Sequence, residues 1–400
     1  MQKENYEIWF EGVNVIEYPR TVLPSETEVL IIGGGITGIT SAYLLSKNGK
    51  KVILLEKGKI GESVTKRTTG FLTQVIDIDS TKLIKLFGME NSRLILESHQ
   101  EAISDVEKII KSENIDCEFT RCSNFVYANN KNEENALKKM AKNYKKLGVN
   151  AEYKENGALK FNNFGYIEFY NQAKFNAIKY ITSLAQIATK NGAIINENIT
   201  VLGADDKKDF VEVKTDNSDI IKAKKVLSAT YSPFGNQKDL EHKYNMYRSY
   251  VVEYRIPSDI LVSGTYQDTL LPYHYFRVDK RNDFDRLVIG GADNMEILNL
   301  DHEVGARIIQ SYTKNFFKND NFEEVSHWSG LISEPAIGLA YIGESNSENI
   351  FYAFGFSGNG MTYSYIASKI FADQMIGQNN PYSKIYSTDN KLPWWKNIFL

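Results

Sequence analysis

Cysteine is nearly missing from this chain. Cys117 and Cys122 are the only two in 400 residues, which excludes a disulfide framework and points to a reducing, cytoplasmic setting. Their C-x4-C spacing lies far downstream of the first strand–turn–helix unit, so both are read as ordinary, partly buried thiols. Histidine is scarce as well. His99, His242, His274, His302 and His327 are dispersed and show no metal-ligand spacing, so no metal is expected. Basic residues are in no excess: 47 Lys and Arg against 50 Asp and Glu leave a net charge of −3, which gives nucleic acid no footprint. No apolar run approaches the length of a membrane span, and no signal-peptide pattern precedes the first apolar strand, so no stable membrane insertion is expected. The apolar stretch Pro393–Leu400 is too short to anchor the chain alone and is expected to pack on the body. What remains, 42% hydrophobic and 24% charged, is an ordinary globular composition with material for a sizeable core and two domains, or one domain with an inserted lobe.

Glycine is present where it carries information. Val29 to Ile32 is an apolar run that ends in Gly33-Gly34-Gly35, and a helical stripe (Ile36, Ile39, Tyr43) starts at once and closes on Asn48-Gly49. Gly33, Gly35 and Gly38 fit G-x-G-x-x-G. The first glycine permits a tight turn, the second lets a phosphate approach the backbone, and the third lets helix pack on strand. The pyrophosphate of a dinucleotide would sit on the helix N-terminus, where unpaired N–H groups and the dipole favour an anion. Lys51 to Leu55 forms a second short strand ending at Glu56, an acid placed to accept hydrogen bonds from an adenosine ribose.

Further along, Lys57 to Gln74 is rich in Gly, Ser, Thr and basic residues and reads as a loop. Residues 1–27 form a lead-in, with Trp9 and Phe10 draped on the first domain. Ser80 to Ser112 and Asn132 to Leu147 are helical by pattern, Cys117 to Ala128 is a strand, and Phe169 to Asn191 is expected as a long helix. Short strands follow at Ala193–Ile195, Ile199–Gly203, Phe210–Lys214, Ile220–Ile221 and Lys225–Ala229. Met246–Ile256, Tyr273–Val278 and Arg286–Gly291 alternate like antiparallel strands. Val304 to Phe317 is amphipathic. The chain then repeats its opening theme: a buried strand at Ile350–Phe354, a glycine-rich turn at Gly355-Phe-Ser-Gly-Asn-Gly360, and a helix from Met361 to Ile376. The second junction offers another helix N-terminus, suited to negative charge on a flavin N1–C2=O locus.

Together these residues resemble the D-amino-acid oxidase and glycine oxidase superfamily of FAD-dependent oxidoreductases. The resemblance rests on the Gly33 fingerprint, Glu56-Lys57, Thr68-Thr69-Gly70 with Thr73-Gln74, Lys225–Thr230, Trp328–Leu331, Ala340–Gly343 and Gly355–Thr362. The segment Thr65–Gln74, with Trp9, Tyr273–Arg277 and Gly290-Gly291, is similar to the branch whose members often carry a C-terminal Rieske domain. No Cys/His pairs for such a cluster occur here, so electron exit through an attached iron–sulfur domain is not expected.

The resemblance implies an α/β fold, α+β overall: a Rossmann-like FAD-binding domain of the glutathione-reductase type with an inserted antiparallel-sheet substrate domain. Residues 1–80, 150–235 and 325–400 are expected to form the first, and 81–149 with 236–324 the second. It implies non-covalent FAD, with the pyrophosphate at Gly33, Gly35, Ile36, Thr37 and Gly38 and the ribose on Glu56 beside Lys57. Arg67, Thr68, Thr69 and Gly70 would line the pyrophosphate and ribityl region. Val201 would hold the adenine edge, and Ala229 and Thr230 would lie under the dinucleotide. Gly343, Gly355, Gly358, Gly360, Met361 and Thr362 would surround the isoalloxazine. Tyr250, Tyr273, Tyr275 and Arg277 are the candidates for the substrate pocket, Tyr273 and Arg277 by a Tyr-x-x-x-Arg match.

One position departs from the family. Its amino-acid oxidases carry Trp-x-Gly-Leu-Arg-Pro, whose arginine grips the substrate carboxylate. This chain reads Trp328-Ser-Gly-Leu-Ile332-Ser333. Unless Arg277 supplies the charge, a small amine fits better than glycine or a simple D-amino acid. The implied reaction is oxidation of a C–N bond by hydride transfer from the neutral amine to flavin N5, then hydrolysis of the imine, with oxygen or another acceptor taking the electrons. A flavin dehydrogenase acting on a non-amine and a non-catalytic FAD-binding protein stay open as alternatives. A pyridine-nucleotide reductase would want a second G-x-G-x-x-G, and none is present.

Overall fold

A computed structural model describes residues 7–14, 16–235, 237–270, 272–295, 301–319 and 321–391; the expectation for Pro393–Leu400 lies outside them. Two sheets organise the described residues. The first has eight strands. Its core order is Tyr341–Glu344, Ile350–Phe354, Ile220–Ser228, Glu26–Ile32, Val52–Leu55 and Ile194–Asn196. Four adjacent pairings in it are parallel, as a doubly wound nucleotide-binding sheet requires. Val29, Leu30 and Ile31 are fully buried, and the helices Ile36–Lys47, Ala177–Lys190 and Gly360–Met375 pack together against this sheet. The hairpin Val201–Asp206 and Val211–Thr215 extends this sheet from Ile220–Ser228, which is one continuous strand and not the two short pieces expected.

Gly33 takes φ +111°, and a Cβ there would lie 2.5 Å from the Ala229 carbonyl oxygen. A Cβ on Gly38 would lie 1.9 Å from the Gly33 oxygen. The fingerprint helix, Ile36–Lys47, can therefore leave the strand so sharply only with hydrogen at both positions.

The second sheet has nine strands, with the core order Glu323–Pro335, Tyr244–Ile256, Asp285–Met295, His274–Lys280, Gly264–Asp268, Thr120–Tyr127, Tyr166–Lys174 and Phe71–Leu72. All its pairings are antiparallel except that of Gly264–Asp268 with Thr120–Tyr127. A helix, His302–Phe317, packs on the face turned away from the first sheet, over a second apolar cluster that includes Tyr250, Val252 and Tyr254.

The expected helix Phe169–Asn191 is replaced by a strand, Tyr166–Lys174, and a shorter helix, Ala177–Lys190. Asn176 causes the break. Its side chain accepts from the N–H groups of Ile178 and Lys179 and caps the helix there. The second sheet thus takes Tyr166–Lys174, Phe71–Leu72, Ala151–Lys154 and most of Glu323–Pro335 from stretches expected in the cofactor domain. The helix expected at Ser80–Ser112 is present, kinked at Gly88 where φ is 79°. Among the described residues no helix is long and apolar enough to cross a membrane.

Candidate cofactor and substrate site

A cavity of about 520 Å³ is lined by residues of both sheets, within the size range of small-molecule sites. The expected cofactor residues Gly33, Gly35, Ile36, Thr37, Glu56, Lys57, Arg67, Thr68, Thr69, Val201, Ala229, Thr230, Gly358, Gly360 and Met361 all line it. Two helix N-termini meet there, those of Ile36–Lys47 and Gly360–Met375, held together by the hydrogen bond from Thr37 Oγ1 to Ser364 Oγ at 3.0 Å.

The residues present fit FAD. A Cβ on Gly35 would meet only the Thr65 hydroxyl, at 3.3 Å, so the backbone here is open to an approaching phosphate. The Ile36 N–H donates to that hydroxyl at 3.1 Å, marking the seat for an oxygen ligand. Glu56 is buried, and its carboxylate accepts from the N–H groups of Gly34 (2.6 Å) and Gly58 (2.8 Å). Lone pairs remain for ribose hydroxyls. At the other end, the Asp77 carboxylate accepts the Gly358 N–H at 2.9 Å, so the second helix N-terminus also attracts negative charge.

Five expected cofactor residues lie off the cavity. Gly38 and Gly70 act beneath it: Gly38 lets the helix pack, and a Cβ on Gly70 would strike the Phe175 carbonyl oxygen at 2.5 Å. Gly343 pairs with Tyr352 and packs near Thr388, and Gly355 packs near Pro335 and Tyr341. Thr362 is buried with its hydroxyl 2.7 Å from His99 Nδ1. A turn's glycines and the first residues of its helix point in several directions, and only some face the ligand.

Of the substrate candidates, Tyr273 and Tyr275 line the cavity. Tyr275 shares a 2.9 Å hydrogen bond with Ser249, and Tyr273 donates to Asp293 Oδ2 at 2.7 Å. Burial pushes both phenols up, so they stay protonated. Tyr250 is a correction. Ser249 and Val251 face the cavity, so strand alternation sends Tyr250 to the other side, against Gly305 of the helix His302–Phe317.

Arg277 is the second correction. Its guanidinium bonds Asp279 at 2.9 Å and donates to the carbonyls of Thr69 (2.8 Å) and Phe175 (3.1 Å), with the Trp9 ring stacked 5.4 Å away. Burial alone would raise the Asp279 carboxyl, but Arg277 and Lys174 together hold it well below the usual range. Arg277 thus props the Thr69–Gly70 loop from behind and cannot grip a substrate carboxylate.

Several lining residues were not read from sequence: Thr65, Asp77, Tyr231–Phe234, Ser249, Val251 and Gln267. Ile332 does line the cavity, beside Gly330 and Leu331. His302, Glu303 and His327, unremarkable in sequence, converge in space on the far side of the second sheet.

The chain is similar to a Bacillus subtilis protein named as a Rieske 2Fe-2S iron–sulfur protein, YhfW. They are 27% identical over 390 residues, which is 95% of this chain and 74% of that one. It is 24% identical to the gamma-glutamylputrescine oxidoreductase of Escherichia coli, over 88% of this chain and 84% of that one. Its fold is that of the glycine oxidase of Geobacillus kaustophilus, with a TM-score of 0.79 at 18% identity, covering 92% of this chain and 100% of that one. The family model DAO, FAD dependent oxidoreductase, matches residues 28–374. With the fingerprint seat, the acid on the second strand and the opposed cap sheet all in place, the chain belongs to this family of FAD-dependent oxidoreductases.

Proposed function

We propose that this enzyme oxidises the C–N bond of a small amine whose recognition does not depend on a carboxylate. The observation that carries the reading is the charge of the cavity's substrate end. Ile332 stands where the family's amino-acid oxidases carry arginine, and Arg277 is committed elsewhere. Carboxylates face this end instead: Asp77 lines it, Asp293 backs Tyr273, and Glu334 lies two residues beyond Ile332. An anionic substrate would meet these groups unfavourably, and a cationic amine favourably. That a relative is named for gamma-glutamylputrescine oxidation agrees with an amine substrate.

FAD, when bound, supplies the two-electron acceptor. This chain's own residues bind and orient. Tyr273 and Tyr275 hold their hydroxyls toward fixed partners and remain donors, since burial keeps them protonated. Val251, Leu331, Ile332, Phe71 and Phe356 contribute apolar wall that excludes water from the reacting carbon. Among the described residues no histidine lines the cavity, which suits an amine that reacts in its neutral form. The two free thiols fit a reducing compartment.

The purified protein is expected to be yellow and to release FAD, not FMN, on heating, because Glu56 and the Gly33 seat serve the ADP half that FMN lacks. Anaerobic mixing with a panel of primary and secondary amines should then bleach the flavin. Bound FAD that no amine reduces would refute the amine reading and leave the cofactor assignment standing.

The pH dependence provides a second test. Burial, reinforced by the charges of Asp77 and Glu334, pushes Asp293 up to about 6, against the pull of hydrogen bonds with Ser249 and Tyr273. The group is neutral below that value and anionic above it. For a cationic amine, kcat/KM should rise through about pH 6 as Asp293 ionises. In Asp293→Asn that limb should vanish, while the contribution from deprotonation of the amine at higher pH persists. An unchanged limb in the variant would show that Asp293 has no part in binding.

A further inference from the structure

Strand Glu323–Pro335 brings His327 against the first turn of helix His302–Phe317. Three ligand atoms converge there. Glu303 Oε1 lies 3.5 Å from His327 Nε2 and 3.6 Å from His302 Nε2. All three atoms lie within 4.8 Å of one another. Each is shielded from solvent and has no hydrogen-bond partner. His327 is only 6% exposed.

These separations are too long for hydrogen bonds. They match ligands that share one ion: two atoms each about 2.1 Å from a metal at the tetrahedral angle stand about 3.4 Å apart. Lone-pair bookkeeping gives the same answer. His327 Nδ1 lies 3.1 Å from Glu324 Oε1. A carboxylate only accepts, so Nδ1 carries the ring proton and Nε2 presents a lone pair. That lone pair faces another on Glu303, and the two repel unless a cation sits between them. Glu324 is itself fixed by Gln310 Nε2 at 2.9 Å, the carboxylate–histidine arrangement that orients metal-bound imidazoles. On the other ring, His302 Nδ1 lies 3.5 Å from Asp301 Oδ1.

We propose that His302, Glu303 and His327 form a zinc site that staples the cap helix to the cap sheet. Two imidazoles and one carboxylate are a zinc donor set, with water completing the tetrahedron. The helix N-terminus disfavours a cation slightly. The carboxylates of Asp301, Glu303 and Glu324 outweigh that. The site stands apart from the flavin cavity and does not depend on the substrate reading. Its neighbour Trp328 donates Nε1–H to the Arg67 carbonyl at 3.0 Å, and Arg67 lines the cavity. The metal therefore braces the strand that forms one wall of the cofactor site.

The test uses the flavin-loaded protein, stripped of metal by a chelator and titrated with Zn²⁺ against a chromophoric competitor. One equivalent should bind, and Co²⁺ in its place should give the visible absorption of a tetrahedral ion. Zn²⁺ should also raise the midpoint of thermal unfolding. His327→Ala should abolish all three signals. Glu303→Gln alters a partly exposed side chain and keeps its shape, so it tests the site even if His327→Ala fails to fold; it too should weaken binding by at least about 100-fold. Glu324→Gln should weaken it by about 10- to 100-fold, by loosening the His327 ring. Flavin content near one per chain confirms that each variant is folded. No saturable Zn²⁺ binding by the parent protein, or equal binding by the parent and Glu303→Gln, would overturn the site.

Discussion

Gly38→Ala is expected to yield a chain that neither holds flavin nor folds stably. Its new Cβ would lie 1.9 Å from the Gly33 oxygen, and no rotamer relieves a clash between backbone and Cβ. The helix Ile36–Lys47 must move off the strand. It is wedged between Ala177–Lys190 and Gly360–Met375, so the shift spreads. Overpacking of this kind costs about 1–3 kcal/mol, and loss of cofactor removes about 4 kcal/mol more if FAD normally exceeds its Kd a thousandfold. Gly35→Val makes the informative contrast. Its Cβ faces the cavity and meets only the Thr65 hydroxyl, so flavin should be lost while the melting temperature stays near that of cofactor-free parent protein. Flavin absorbance and thermal melts of the two variants separate a seat from a strut. Normal flavin content in either variant would contradict the placement of the pyrophosphate.

Glycine and D-alanine are expected to reduce the bound flavin poorly, and amines of similar size to do so faster. A charge-assisted pair to a buried carboxylate contributes on the order of 2–4 kcal/mol, or roughly 30- to 1000-fold in affinity, and Ile332 cannot supply it. Ile332→Arg should restore part of that preference and shift the ratio of kcat/KM toward glycine, provided the new guanidinium is not drawn to Glu334 or Asp77. The comparison must be made at position 332. Arg277→Ala would be uninformative about substrate, because it strips Asp279 of its guanidinium partner, leaves the carbonyls of Thr69 and Phe175 without their donor and withdraws support from the Thr69–Gly70 loop. Fast reduction by glycine in the parent protein would show that the carboxylate is held by some other group.

How much could be read from the residues alone follows from the range of the forces involved. The cofactor seat was legible because its determinants are local: glycines at fixed offsets, a buried strand before them and an acid at the end of the next strand. The strand Ile350–Phe354 matched residue for residue for the same reason. Tyr250 was misplaced because strand alternation has a phase that only the partner elements fix, and a bulge between Arg248 and Tyr250 interrupts the register here. Arg277 lies on the same face as Tyr275, yet a loop from far away in sequence, Thr69–Gly70, covers it. Tyr166–Lys174 was hidden inside an apolar stretch long enough to pass for a helix, and the cap at Asn176 was the signal overlooked. The His302–Glu303–His327 cluster had no signature at all, since its members come from a helix and a strand that meet only through tertiary packing.

The strand order of the first sheet also fixes a sequence of events. Glu26–Ile32 lies between Val52–Leu55 and Ile220–Ser228, and the latter lies against Ile350–Phe354. During synthesis the opening strand can find its first neighbour within seconds. Its second neighbour arrives only after residue 220 has left the ribosome, and the sheet is completed after residue 354. Until then one edge carries unpaired backbone groups and exposed Val, Leu and Ile, the kind of surface that pairs with the wrong chain. Truncations before residue 354 are therefore expected to aggregate rather than fold.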